Sequence, residues 1–253
     1  MTITRACSSA KRGESHPTGR QKRIEVPERA RAIQRTMVER LESLLSSKTE
    51  SCLSESFTSS WEGILSQLEA YQRAIIDASG LTVSCTKGCS VCCCHWVEDV
   101  KSFEAEILIE YLRKNHDRRI PRIIEKCRSD NNRFERLSAI VNQKLAAIKS
   151  TLRQKIDVTD LLLASFYQLR IECPLLDNGN CMIYRVRPMT CRMYVSFSDP
   201  AQCNPERINK GRTPTYLFDP EEKIDCLIGR LHATFMKSSK DTGLRSLLAR
   251  YLS

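Results

Sequence analysis

Five cysteines, Cys85, Cys89, Cys92, Cys93 and Cys94, stand within ten residues in the run CTKGCSVCCC. Thiolates crowded in this way repel one another, and bonding to zinc or to an iron–sulfur cluster removes that cost through metal–sulfur bonds of about 2.3 Å. Gly88 lets the backbone turn sharply between the first two, so that neighbouring sulfurs face one centre. A second group, Cys173, Cys181, Cys191 and Cys203, follows further along the chain. The two groups are expected to converge on one site or on a pair of sites. Cys7, Cys52, Cys127 and Cys226 lie outside both groups and read as small buried hydrophobes or tail residues.

Other chemistry is hard to assemble. Four histidines are scattered at His16, His95, His116 and His232, and no G-x-x-x-x-G-K-S/T run occurs. Glu98 and Asp99 read as solvated carboxylates and not as an acid/base pair. His95 is either a further metal ligand or a polar loop residue. Thirteen cysteines, an odd number, in a chain without an apolar leader favour metal binding in the reducing cytoplasm over a disulfide framework. An exported, disulfide-bonded protein is the alternative.

The segments that must position these cysteines read as helices. Pro27 suits a first helical position, and Ile33, Met37, Leu41, Leu44 and Leu45 recur three or four apart. A second stripe, Trp61, Ile64, Leu65, Leu68, Ile75 and Ile76, follows Phe57 and stops at Gly80, which makes residues 27–80 a helical hairpin. Ser102 is expected to cap a helix that turns Phe103, Ile107, Leu108, Tyr111 and Leu112 inward, with Glu104 and Glu106 in its first turn. Residues 117–156 carry Ile120, Ile123, Ile124 and Cys127, then Leu137, Ile140, Val141, Leu145, Ile148 and Leu152. That pattern predicts two helices, or a kinked pair, broken near Ser129 to Asn132. Asp157 or Thr159 opens a short helix that runs to Arg170.

From Glu172 to Thr215 periodicity disappears among Pro174, Pro188, Pro200, Pro205 and Pro214. A loop this long inside a compact domain needs something to hold it, and metal ligation would supply it. Asp219, Pro220 and Glu222 then read as a capping box for a helix with Leu227, Ile228, Leu231 and Phe235 inside. A last helix covers Leu244 to Leu252. The division expected is a disordered basic tail (1–26), the hairpin (27–80), a cysteine-cluster metal-binding domain (81–215) and C-terminal helices packed on it (216–253). The fold class is mainly α, a helical domain with a long irregular cysteine-rich loop, and no strand is predicted.

Composition agrees with a globular helical chain. Of 253 residues, 41% are hydrophobic, enough for a core, and only nine are Gly, too few for a fold rich in tight hairpins. No stretch reaches the ~18 apolar residues of a bilayer span, so no membrane is expected. The net charge of +10 is uneven: 11 basic against 5 acidic residues in 1–48, and 11 against 4 in 117–155. Such faces attract acidic partners, yet aromatics are only 6% of the chain and offer no stacking platform for nucleic acid.

CTKGCSVCC followed by CPLLDNGNCMIYRVRPMTCRMY resembles the YkgJ-type cysteine-cluster family, also called the CxxCxxCC family, a zinc- or iron-chelating domain. The likeness covers residues 81–205 and rests on the first cluster, on Cys173-Pro174-Leu175 with Asp177, on Cys181-x-Ile183-Tyr184, and on Arg187-Pro188 with Cys191-Arg192. It implies that Cys85, Cys89, Cys92, Cys93, Cys173, Cys181 and Cys191, with Cys203, are metal ligands. Cys94 departs from the family pattern. Four thiolates around a divalent ion leave two net negative charges, which hydrogen bonds from Arg187 and Arg192 to sulfur could offset; ordinary salt bridges by both arginines are the alternative.

Cys85-x3-Cys89-x2-Cys92 also matches the spacing with which radical SAM enzymes hold a four-iron cluster, but the alternating strands and helices of that fold are missing. The leading expectation is a protein that binds zinc or iron, as ions or as an iron–sulfur cluster. Flagellin lysine N-methylases look like members of the same group, so an iron–sulfur enzyme of redox or methyl transfer is the first alternative. A zinc-stabilised module that docks an acidic protein or nucleic acid is the second.

Overall fold

The computed structural model describes residues 26–47, 49–86, 88–147, 157–197, 199–204, 215–217, 221–236 and 243–253. Cys7, the basic tail up to residue 25, Ile148, Leu152, Asp219 and Pro220 lie outside the described residues. The described chain is mainly helical.

Helix α1 (Glu28–Ser46) starts after Pro27 and buries Met37, Leu41 and Leu44, the stripe its spacing predicts. Helix α2 (Glu55–Ser79) is capped at its start by Ser54, whose Oγ accepts from the Phe57 amide at 3.3 Å. It ends on Gly80, whose φ of +66° favours a residue without a Cβ. These two helices pack on each other, and α7 (Glu222–Phe235) packs on α1. The three enclose one apolar core with Phe57, Trp61, Leu68, Ile224 and Leu231, closed by Phe103 from α3 (Ser102–Asn115).

A second core lies between α3, α4 (Ile120–Ala146) and α8 (Leu244–Tyr251), with Leu108, Leu112, Ile123, Cys127, Leu247 and Leu248 buried. Helix α5 (Val158–Gln168) rests on α4 and begins at Asp157, whose carboxylate accepts from the Thr159 and Asp160 amides at 2.8 and 3.0 Å.

Three expectations need correction. Helix α4 runs unbroken through Ser129 to Asn132 because that stretch has tertiary partners: buried Asp130 pairs with Arg245 of α8 at 3.0 Å, and Asn131 accepts from Ser246 at 3.4 Å. Ile140, read as core, is 49% exposed. Ser102 is the first residue of α3 and not its cap; its amide donates to His232 Nδ1 at 2.9 Å and its hydroxyl to the His232 carbonyl at 2.8 Å, which ties α3 to α7.

Strands also occur where none was predicted. β1 (Leu176–Asp177) pairs antiparallel with β2 (Asn180–Cys181), and β3 (Tyr194–Ser196) with β4 (Thr215–Leu217). Strands of two or three residues are too short to leave a period-two pattern in the sequence. Between them lie the short helix α6 (Thr190–Met193) and two 3-10 turns. Among the described residues no helix is long and apolar enough to cross a membrane.

Candidate metal centre

The first cysteine run leaves α2 at Gly80 and crosses to α3 without regular structure. Gly88 adopts φ +94°, the sharp turn expected of it, and the Cys89 and Cys93 amides close turns onto Thr86 and Ser90 at 3.0 and 2.9 Å. The second run is shaped by the β1–β2 hairpin. Asn178 and Gly179 both take positive φ, +50° and +76°, as a two-residue turn between right-twisted strands requires. Leu176 stands opposite Cys181.

The two runs meet. The Cys173 amide donates to the Cys93 carbonyl at 2.7 Å, and the Ser84 amide to the Ser196 carbonyl at 2.9 Å. The turn glycines touch the opposite run: the Cβ position of Gly88 lies 3.6 Å from Asn180, and that of Gly179 lies 3.9 Å from Ser90.

Several sulfurs accept backbone hydrogen bonds. The Ser196 amide donates to Cys85 Sγ at 3.1 Å. The Leu175 amide donates to the Cys173 sulfur and the Ile183 amide to the Cys181 sulfur, each two residues on along the chain. Such N–H donors favour the thiolate form. Burial works against them and pushes the Cys85, Cys173, Cys181, Cys191 and Cys203 thiols up, helped at all but Cys181 by the charges of neighbouring cysteines. Cys92 differs: the Cys93 thiol donates to its sulfur and holds it down at about 7, while the Cys93 thiol is pushed up by the same bond.

Arg187 lends positive charge to Cys92, Cys181 and Cys191, and Arg245 and Lys126 lend it to Cys173. The Arg187 guanidinium carbon lies 4.0 Å over the Tyr184 ring, and its Nε is buried without a hydrogen-bond partner. Arg192 takes the alternative, a salt bridge. Its guanidinium donates to the carbonyls of Arg187 and Arg185 at 3.0 and 2.8 Å and to Glu69 of α2 at 2.6 Å, so it braces the loop against the helical hairpin while its charge still acts on Cys181.

The remaining candidates separate cleanly. Cys94 is buried and points its thiol at the Val91 carbonyl, 3.4 Å away within its own turn. His95 stacks on Tyr167 with ring centroids 3.7 Å apart, and burial lowers it to about 4, so it is a neutral packing group. Tyr167 in turn donates to the Cys203 carbonyl, which fixes the end of the loop on α5. Cys52 and Cys127 are buried as expected, Cys52 donating to Glu106 at 3.4 Å. Cys226 is half-buried on α7.

The sequence places Glu104 in the first turn of α3 and gives no sign of its burial. It is 3% exposed, and its carboxylate accepts from the Met189 amide at 2.7 Å and the Lys101 amide at 3.1 Å. Glu104 therefore holds the start of α3 and the approach to Cys191 together.

Among the described residues no three His, Cys, Asp or Glu side chains form a ready metal-ligand group. The donor set still suits a thiophilic metal: crowded free thiols, N–H donors already aimed at sulfur, and a buried Arg187 Nε beside them that lacks an acceptor. A cavity of about 340 Å³ between α3 and α8 is lined by Ala105, Ile109, Phe235 and Leu247 and by no cysteine, so it does not open onto the sulfurs. The chain matches no protein-family model, no curated protein and no solved structure.

Proposed function

We propose that this chain is a cysteine-cluster metal-binding protein, in which zinc or iron held by Cys85, Cys89, Cys92, Cys93, Cys173, Cys181, Cys191 and Cys203 fastens the loop from Glu172 to Thr215 onto the helices. One observation carries the reading: two cysteine runs distant in sequence are hydrogen-bonded to each other around sulfurs that already accept backbone N–H groups. Those donors and Arg187 are what a multiply thiolate-ligated ion would need around it, because they spread the excess negative charge. The bound metal would supply cross-linking of the loop, a contribution on the order of 10 kcal/mol in structural zinc sites. The resemblance to the YkgJ-type family points the same way. A reducing compartment such as the cytoplasm would keep the thiols available.

The loop is not anchored by cysteines alone. Leu175, Ile183, Met189 and Met193 are buried at irregular spacing, and Gln72 of α2 donates to the Arg192 carbonyl at 2.8 Å. Metal removal should therefore loosen the loop while leaving the helical cores folded. Limited trypsin digestion before and after treatment with a strong chelator tests this. New cleavage after Arg185 and Arg192, with the far-ultraviolet helix signal retained, is expected. Digestion patterns that are the same with and without chelator would overturn the reading.

A further inference from the structure

We propose that the cavity of about 340 Å³ between α3 and α8 binds a small primary amine with an apolar body, its ammonium group held by Glu106 and Glu110. The site shares no residue with the cysteine cluster and does not rest on the metal-binding reading.

The cavity lies where the two apolar cores approach each other. Of its lining, Ala105, Ile109 and Leu247 are buried members of the second core, and Phe235 packs against the first. Its volume falls in the range of about 300–1,000 Å³ that small-molecule sites occupy, and such sites combine an apolar lining with a few polar groups that orient the ligand. An apolar body seated here would lie on these aliphatic side chains, with the Phe235 and Tyr251 rings beside it.

The polar groups come from one face of α3. Glu106, Ile109, Glu110 and Arg113 recur three or four residues apart, which puts both carboxylates on one wall, a helical turn from each other and next to the apolar floor. Carboxylates at that spacing, about 5–6 Å between Cβ atoms, suit a single ammonium, whose three N–H donors can reach both. Glu106 has one oxygen already fixed, since its Oε2 accepts from the Cys52 thiol at 3.4 Å. Glu110 is paired with Lys114 Nζ at 3.1 Å, an exposed i,i+4 contact of the kind that contributes little and that a bound ammonium can replace.

Charge around the site selects a cation. Arg113, which also lines the cavity, donates from Nη2 to the Tyr251 carbonyl at 2.9 Å, so its charge is taken up at the C-terminal end of α8, where the helix dipole is negative. Residues 49–116, which include α3, hold 10 acidic residues against 5 basic ones in a chain whose net charge is +10. The wall of the cavity thus belongs to the acidic stretch of a basic protein. An anion of the same shape would face both carboxylates.

The test is isothermal titration of the full-length protein with 4-phenylbutylamine, 4-phenylbutanol and 4-phenylbutanoate, three probes with one apolar body and a cationic, neutral or anionic head. The amine is expected to bind saturably at one site, the alcohol at least about tenfold more weakly, as the loss of one charge-assisted hydrogen bond implies, and the carboxylate not measurably. Glu106→Gln/Glu110→Gln, conservative changes on a half-exposed helix face, should bring the amine down to the affinity of the alcohol and leave the alcohol unchanged. Isotope-filtered NOEs from the phenyl protons to the Ile109 and Leu247 methyl groups should place the apolar body in the cavity. No saturable binding of the amine, equal binding of amine and carboxylate, an amine affinity unmoved by the double variant, or NOEs only to other methyl groups would each overturn the proposal.

Discussion

Glu104 shows how one side chain can set a pH dependence of folding. Burial raises its carboxyl to about 7 from the usual 4.5, against the pull of its two amide donors. The native state therefore holds an extra proton between those values, so the stability Glu104 contributes is full below pH 4.5 and is lost as pH rises through 7. Thiolate–metal bonds have the opposite pH dependence, since acid protonates the ligands. Comparing parent with Glu104→Gln separates the two: the parent's advantage in urea unfolding should shrink from pH 4.5 to 7, and a constant difference would refute the assignment. Arg187→Met removes the cation beside the sulfurs and should weaken metal affinity by roughly 10- to 100-fold in chelator competition, as losses of outer partners commonly do. An unchanged affinity would deny Arg187 that role. Neither residue's surroundings were legible in the sequence. The cysteines stood out by type and spacing, whereas the opposite fates of Arg187 and Arg192 depend on Glu69, a partner distant in the chain.

At the scale of elements, the long helices were legible because each carries an apolar stripe. α1, α2 and α7 bury most of the residues their spacing indicated, with Ile33, Leu45, Ile76 and Phe235 half-buried against the same core. α4 defeated that reading through one polar contact. Arg245 and Asp130 are 1% and 2% exposed, and the same guanidinium donates to the carbonyls of His95 and Ile171 at 3.1 and 3.3 Å. Helix α8 thus clamps α4 to a point just after the first cysteine run and just before Cys173. Removing one partner leaves a buried charge uncompensated, so Arg245→Met should cost about 3–5 kcal/mol in equilibrium unfolding. The double variant Arg245→Met/Asp130→Leu should recover most of that loss. If Arg245→Met unfolds like the parent, the pair does not hold α4 in place. The basic residues of α4, among them Arg122, Arg128, Arg133 and Arg136, face outward as a solvated face does.

Across the whole molecule, two apolar cores sit under one cysteine-lined loop, and polar ties from Glu104, Gln72, Arg192 and Tyr167 fix that loop to both. The cores cross the sequence divisions: Met189 and Met193 of the loop pack with α1, α2 and α7, and Leu175 and Ile183 pack with α3, α4 and α8. Such anchors have no period, so the sequence pointed to metal ligation as the main source of the loop's order, with packing and a few turns beside it, and did not single out these residues. The central claim remains that the sulfurs ligate metal. Elemental analysis of anaerobically purified protein, taken with its visible spectrum, tests that claim most directly. Stoichiometric zinc in a colourless protein, or iron with acid-labile sulfide in a brown one, is the predicted result. Metal-free protein in which the cluster cysteines all react freely with alkylating reagent would contradict it.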